Sequence, residues 1–219
     1  MNLPKQLKSA FSQPATLDTL DSGLQFTDIL FGFVITKLFV RLQDWGTLQG
    51  YIRWQLIAST VLVLGSWIGF RNSLNRSRFQ VKFFNLPLAR FILDQLMVLL
   101  YFRIAILTPS DLAPSDLANS TAETLLIIFV LYFLWDAIGL LMSIGRHGNV
   151  SKYQSTTDWP GIAITFLFLI CFGVLYCVVQ GVEVCEAQAK LFFIIATALI
   201  LAYRFAKDVR SALKPKSPG

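Results

Sequence analysis

The chain has 219 residues, 55% hydrophobic and only 15% charged, with a mean hydropathy of +0.59 and a formal net charge of +6. Soluble domains carry roughly a quarter charged residues, so this composition excludes an ordinary soluble domain and points to an all-α membrane bundle in a lipid bilayer. The cations flank apolar runs instead of forming a stripe on a soluble surface, which argues against nucleic acid as a partner.

Residues 1–25 carry Lys5 and Lys8 and no apolar stretch before Phe26, so they read as a cytoplasmic tail and not as a cleavable signal. A spanning helix needs about 20 mostly apolar residues. Six runs approach that length, at 27–42, 51–70, 84–107, 124–144, 160–179 and 190–203, and the expected organisation is a six-helix domain over 26–206 followed by a basic tail over 207–219. The first run is the weakest because it contains Lys37 and Arg41, and Asp21 or Ser22 is placed to cap it. Pro87 kinks or starts the third run; Pro4, Pro14, Pro109 and Pro114 mark tail and loops.

The connecting segments alternate in charge. The second loop has Arg71, Arg76, Arg78 and Lys82, the fourth Arg146 and Lys152, and the end of the chain Arg204, Lys207, Arg210, Lys214 and Lys216. The third and fifth loops are acidic, with Asp111, Asp116 and Glu123, then Glu183 and Glu186. An even number of spans with both termini cytoplasmic satisfies the positive-inside bias, and the expected location is multi-pass in a plasma or inner membrane. Trp45, Tyr51 and Trp54 form the expected outer aromatic belt and Trp159 the inner one.

Ionisable groups in hydrocarbon are costly unless paired or wet. Lys37, Asp94 and Asp136 fall near mid-bilayer, and Arg90 lies one turn before Asp94 on the same helix face. One reading makes Arg90–Asp94 and Lys37–Asp136 buried ion pairs that fix packing; the other gives these residues a transport or proton-coupling role. Gly65 and Gly69 form a small-xxx-small pattern suited to close helix approach, and Gly32 and Gly139 are further candidates. His147 reads as a loop residue, and Cys171, Cys177 and Cys185 as free thiols, with a Cys177–Cys185 bridge the alternative. The sequons are Asn119-Ser120-Thr121, in an expected outer loop, and Asn149-Val150-Ser151. With no nucleophile elbow, phosphate loop or metal-ligand cluster, the expectation is a non-enzyme without metal or cofactor.

Residues 26–36, Phe-Thr-Asp-Ile-Leu-Phe-Gly-Phe-Val-Ile-Thr, resemble the first-helix signature of the endolysosomal potassium channel family and its bacterial relatives, where Phe-Ser-Asp is followed by an aliphatic stretch and Ile-Thr. Phe26, Thr27, Asp28 and Thr36 carry the match, and Trp67 followed by Phe70-Arg71-Asn72 echoes the family's second helix, which has Trp followed by histidines. The family's arginine one turn earlier is replaced by Ser22, and Lys37 stands where the family is aliphatic. The resemblance covers only the first two helices. It implies a tetramer of six-helix subunits around the first helix, passing potassium or another monovalent cation, with Phe26, Thr27 and Asp28 tying that helix to its neighbours and Ile35 as the constriction. Asp28, Ile35, Phe39 and Leu42 also fall on one helical stripe, which would stack as apolar rings that gate by dewetting. Lys37, about 200° around from Ile35, then points away from the axis, toward Asp94 or Asp136; facing the pore instead, it would favour anions. The alternatives are a small-solute or proton-coupled transporter using Arg90, Asp94 and Asp136, and a non-conducting membrane scaffold.

Overall fold

The computed structural model describes residues 17–76, 86–106, 113–144 and 159–212. His147 and the Asn149 sequon lie outside them. Among the described residues the secondary structure is entirely helical: α1 Leu17–Gln43, α2 Gly50–Arg76, α3 Leu86–Ile106, α4 Pro114–Ile144, α5 Trp159–Gln180 and α6 Glu186–Ala212. Four of them, α2, α4, α5 and α6, are long and apolar enough to cross a membrane. The other two are interrupted by charge: α1 by Asp28, Lys37 and Arg41, α3 by Arg90, Asp94 and Arg103.

The helix starts follow from local chemistry. Pro87, Pro114 and Pro160 each fall in the first turn of a helix, where a missing N–H costs nothing. Pro114 therefore opens α4 and is not a loop marker, and α4 begins ten residues before the expected 124. The Asn119 sequon is consequently helical, with Thr121 buried, and is not an outer loop. At α6 the Gln188 side chain accepts from the Cys185 backbone N–H at 3.0 Å, half of a capping box. Helix α1 starts at Leu17, so Asp21 and Ser22 lie within it and do not cap it. It ends in a turn fastened by Arg53, which donates to the backbone oxygens of Leu48 at 2.9 Å and Gly46 at 3.1 Å.

The helices alternate in direction. One end of the bundle, where α1, α3 and α5 begin and α2, α4 and α6 finish, is called here the basic end after the basic sequences that follow α2 and α4. α4 packs along α5 and α2 along α6; α1 leans on α2 and α3. The core runs through the interior, from Phe31, Val34 and Leu38 of α1 to Phe129 and Tyr132 of α4, Phe172 of α5 and Phe193 and Tyr203 of α6. Phe31 holds the first helix through ring contacts with Phe70 of α2 and Tyr101 of α3. Tyr51, expected in the outer belt, is buried; Trp45 and Trp159 are exposed as expected. The three cysteines are unbridged.

Candidate functional site

Two polar constellations stand in the half of the bundle toward the basic end. The first ties α1 down. Thr27 is buried and its hydroxyl accepts from Gln95 of α3 at 2.8 Å. Asp28, next along the helix, accepts from the Trp67 indole at 3.2 Å and pairs with Arg71 at 2.9 Å, both on α2. Consecutive residues on α1 point about 100° apart, so Thr27 reaches α3 while Asp28 reaches α2. Phe26 is half exposed and outside this cluster.

The second constellation is built around α6. Asp136 of α4 is buried and pairs with Lys207 at 2.6 Å; the Thr165 hydroxyl of α5 also donates to this carboxylate, and Lys207 donates in addition to the Gly161 backbone oxygen at 2.9 Å. One turn toward the interior, Arg204 donates to the Ser66 hydroxyl at 2.6 Å and the Tyr132 hydroxyl at 2.8 Å, and Tyr132 continues to Tyr101 at 2.6 Å. A polar network thus joins α2, α3, α4 and α6. Its tyrosine rings also stack, Tyr132 on Tyr203 at 5.6 Å. Low local dielectric strengthens such a network and makes any missing member costly.

Gly65 and Gly69 take on a different task from the one their spacing suggests. They form the floor beneath Arg204: a Cβ on Gly69 would lie 2.7 Å from a guanidinium nitrogen, and one on Gly65 3.2 Å from Nε. The small residues admit a side chain between α2 and α6. Gly32, in contrast, has open space around it.

The charges expected within the membrane are distributed differently from the expected pairs. Asp136 is matched by Lys207, not by Lys37; α1 packs against α2 and α3, and Lys37 is exposed. Arg90 is buried with its guanidinium 3.4 Å above the Trp135 ring, and Asp94, half-buried one turn on, lies within electrostatic reach of Arg90 and Trp135. Arg103 pairs with Glu123 near the opposite end.

On α1 the expected stripe is split by exposure. Ile35 and Leu42 are half-buried and rest on their own chain's core, Asp28 is held by α2, and only Phe39 is fully outward. The side turned away from the bundle carries Phe26, Ile29, Phe33, Lys37 and Val40, with Thr36, whose hydroxyl is returned to the Gly32 backbone oxygen, between Phe33 and Val40. Sequence reasoning missed Lys207 and Arg204 as bundle residues because the apolar run ends at Tyr203. The signal was present in the helical spacing of Tyr203, Arg204 and Lys207, which continues the buried row of Phe193, Ala196 and Ile200. Among the described residues no group of His, Cys, Asp and Glu is placed to hold a metal.

No family model, curated protein or solved structure matches this chain.

Proposed function

We propose that this chain is the subunit of an oligomeric cation channel, a homotetramer in which α1 lines the pore and potassium is the permeant ion. In this reading all six helices span the membrane and both termini face the cytoplasm, which puts every basic loop on one side. The observation that carries it is the position of α1. It lies at the margin of the bundle, fastened at its basic end through Thr27 and Asp28, and turns an apolar stripe away from its own chain. That is the arrangement a helix needs to meet copies of itself around an axis. The anchoring residues are also those that carry the resemblance to the potassium channel family, with Arg71 meeting Asp28 where the family has histidines. Rings of apolar side chains facing a narrow axis close it by dewetting. The outward stripe makes Phe33 an alternative constriction to Ile35, which lies about 200° around the helix from it on the side shared with Phe39 and Leu42.

The transporter and scaffold readings draw less support. Asp136, the acid a coupled transporter would load and unload, is occupied by Lys207 and Thr165, an arrangement that favours neutral helix packing.

Purified protein in liposomes with a potassium gradient tests the proposal. Flux above that of empty liposomes is expected, raised by Ile35→Asn or Phe33→Asn, whichever side chain forms the dry ring. A folded oligomer that carries no flux, in wild type and in both variants, sinks the channel reading.

A further inference from the structure

We propose that Lys37 faces the water-filled lumen of the assembled pore and sets its charge selectivity, an inference that rests on the channel reading. Phe26, Ile29, Phe33, Lys37 and Val40 recur at intervals of three and four residues, so they form one row along α1. All are exposed.

Lys37 is the anomaly in that row. The exposed face of α5 carries Ala163, Phe166, Leu167, Ile170, Val174 and Val178, and the whole of α5 contains no charged residue. That is the composition of a surface turned to lipid. The α1 row differs by placing an ammonium nine residues beyond Asp28, a rise of about 13 Å, well inside the helix. Among the described residues it has no counter-charge. Asp28 is taken by Arg71 and Asp136 by Lys207, Asp94 stands with Arg90 and Trp135, and Lys37 makes no hydrogen bond or ion pair among the described residues. An unmatched ammonium is stable at that depth only in water or against a partner. Around the axis of an oligomer, water is what the lumen supplies.

The consequence is a ring of ammoniums one turn beyond Phe33, toward the end remote from the basic loops. Such a ring repels cations and concentrates anions. Potassium remains the permeant ion, but with a lower preference over chloride than the same pore would have without the ring, and removal of the ring raises that preference. The aromatic row at Phe33 supplies closure, and Lys37 supplies the charge filter.

The test uses full-length oligomer in planar bilayers with a potassium chloride gradient. Reversal potentials give the potassium-to-chloride permeability ratio for wild type, Lys37→Gln, Lys37→Glu and Lys37→Arg. The ratio is expected to rise severalfold in Lys37→Gln and further in Lys37→Glu, with Lys37→Arg nearer to wild type than either. A second readout places Lys37→Cys in a background carrying Cys171→Ser, Cys177→Ser and Cys185→Ser. Membrane-impermeant methanethiosulfonates should react with it, positively and negatively charged reagents moving the permeability ratio in opposite directions. A conducting wild type whose ratio is indifferent to Gln and Glu, or a cysteine at 37 that resists the reagents, overturns the assignment: Lys37 then reaches out to lipid headgroups, and the channel reading survives. A folded oligomer without conductance overturns the channel reading and this inference together.

Discussion

Asp136 makes the sharpest case for what a single side chain does here. Its side chain is 7% exposed and that of Lys207 24%, so the pair sits where desolvation is severe and mutual neutralisation decides the outcome. Removing one partner of a buried pair costs about 3–5 kcal/mol, while replacing both with apolar residues is often close to neutral. Asp136→Asn should therefore lower the thermal unfolding temperature of the detergent-purified protein, at the smaller end of that range because Lys207 retains some solvent. Asp136→Leu combined with Lys207→Met should recover most of the loss. Potassium flux that survives in the double variant assigns the pair to packing; flux abolished in a stable double variant would restore a coupling role. Gly69 works at the same scale. A methyl there would crowd a guanidinium whose other nitrogen is pinned by Ser66 and Tyr132, so Arg204 can yield only by giving up hydrogen bonds. Gly69→Ala should cost about 1.5–3 kcal/mol, the worth of a hydrogen bond to a charged group, seen again as a drop in unfolding temperature. An unchanged temperature would mean that Arg204 has another resting place.

At the scale of elements, α1 is the helix whose attachment matters most. Its inner row of Thr27, Phe31, Val34 and Leu38 is buried, and α2 and α3 receive it. The Asp28–Arg71 pair, with Arg71 more than half exposed, contributes no more than about 1 kcal/mol after screening. The Trp67 indole and the Gln95–Thr27 bond therefore carry the direction of the attachment, and Phe31 between Phe70 and Tyr101 carries most of its strength. Trp67→Phe together with Arg71→Ala should loosen the basic end of α1 while leaving the bundle folded. Val34→Cys, buried in the native packing, should then react faster with a small maleimide than in the parent. Equal rates would show that the apolar row alone fixes the helix.

At the scale of the whole molecule, hydropathy and charge alternation predict two termini on the cytoplasmic side. Reporter fusions at residues 1 and 219 should both register cytoplasmic, and a fusion in the 107–112 loop should register outside; opposite sides for the two ends would break the six-span topology. How far the fold was legible depends on which physical signal each helix carries. Helices α2, α4 and α5 announced themselves by long apolar runs, and their middles stand where the runs lie. The ends did not, because polar helical turns look like loops to a hydropathy reading: Pro114 to Glu123 and Arg204 to Ala212 are both helical. The expected site was legible at Thr27 and Asp28 only through the resemblance of residues 26–36, and not in their partners, Gln95, Trp67 and Arg71. It was illegible where the partner comes from a distant helix. Nothing in the order of residues matches Asp136 with Lys207 in preference to Lys37, since the choice is made by α6 lying beside α4 and α5 and α1 packing against α2 and α3.

The seat of Arg204 between α2 and α4 also bears on how the chain is made. Ser66, Tyr132, Asp136 and Thr165, the groups that receive Arg204 and Lys207, all belong to helices synthesised before α6. The two cations of α6 thus meet acceptors that all stand on helices earlier in the chain. Adding α6 supplies the cation that pairs with Asp136, and a chain stopped before residue 200 would leave that acid unmatched.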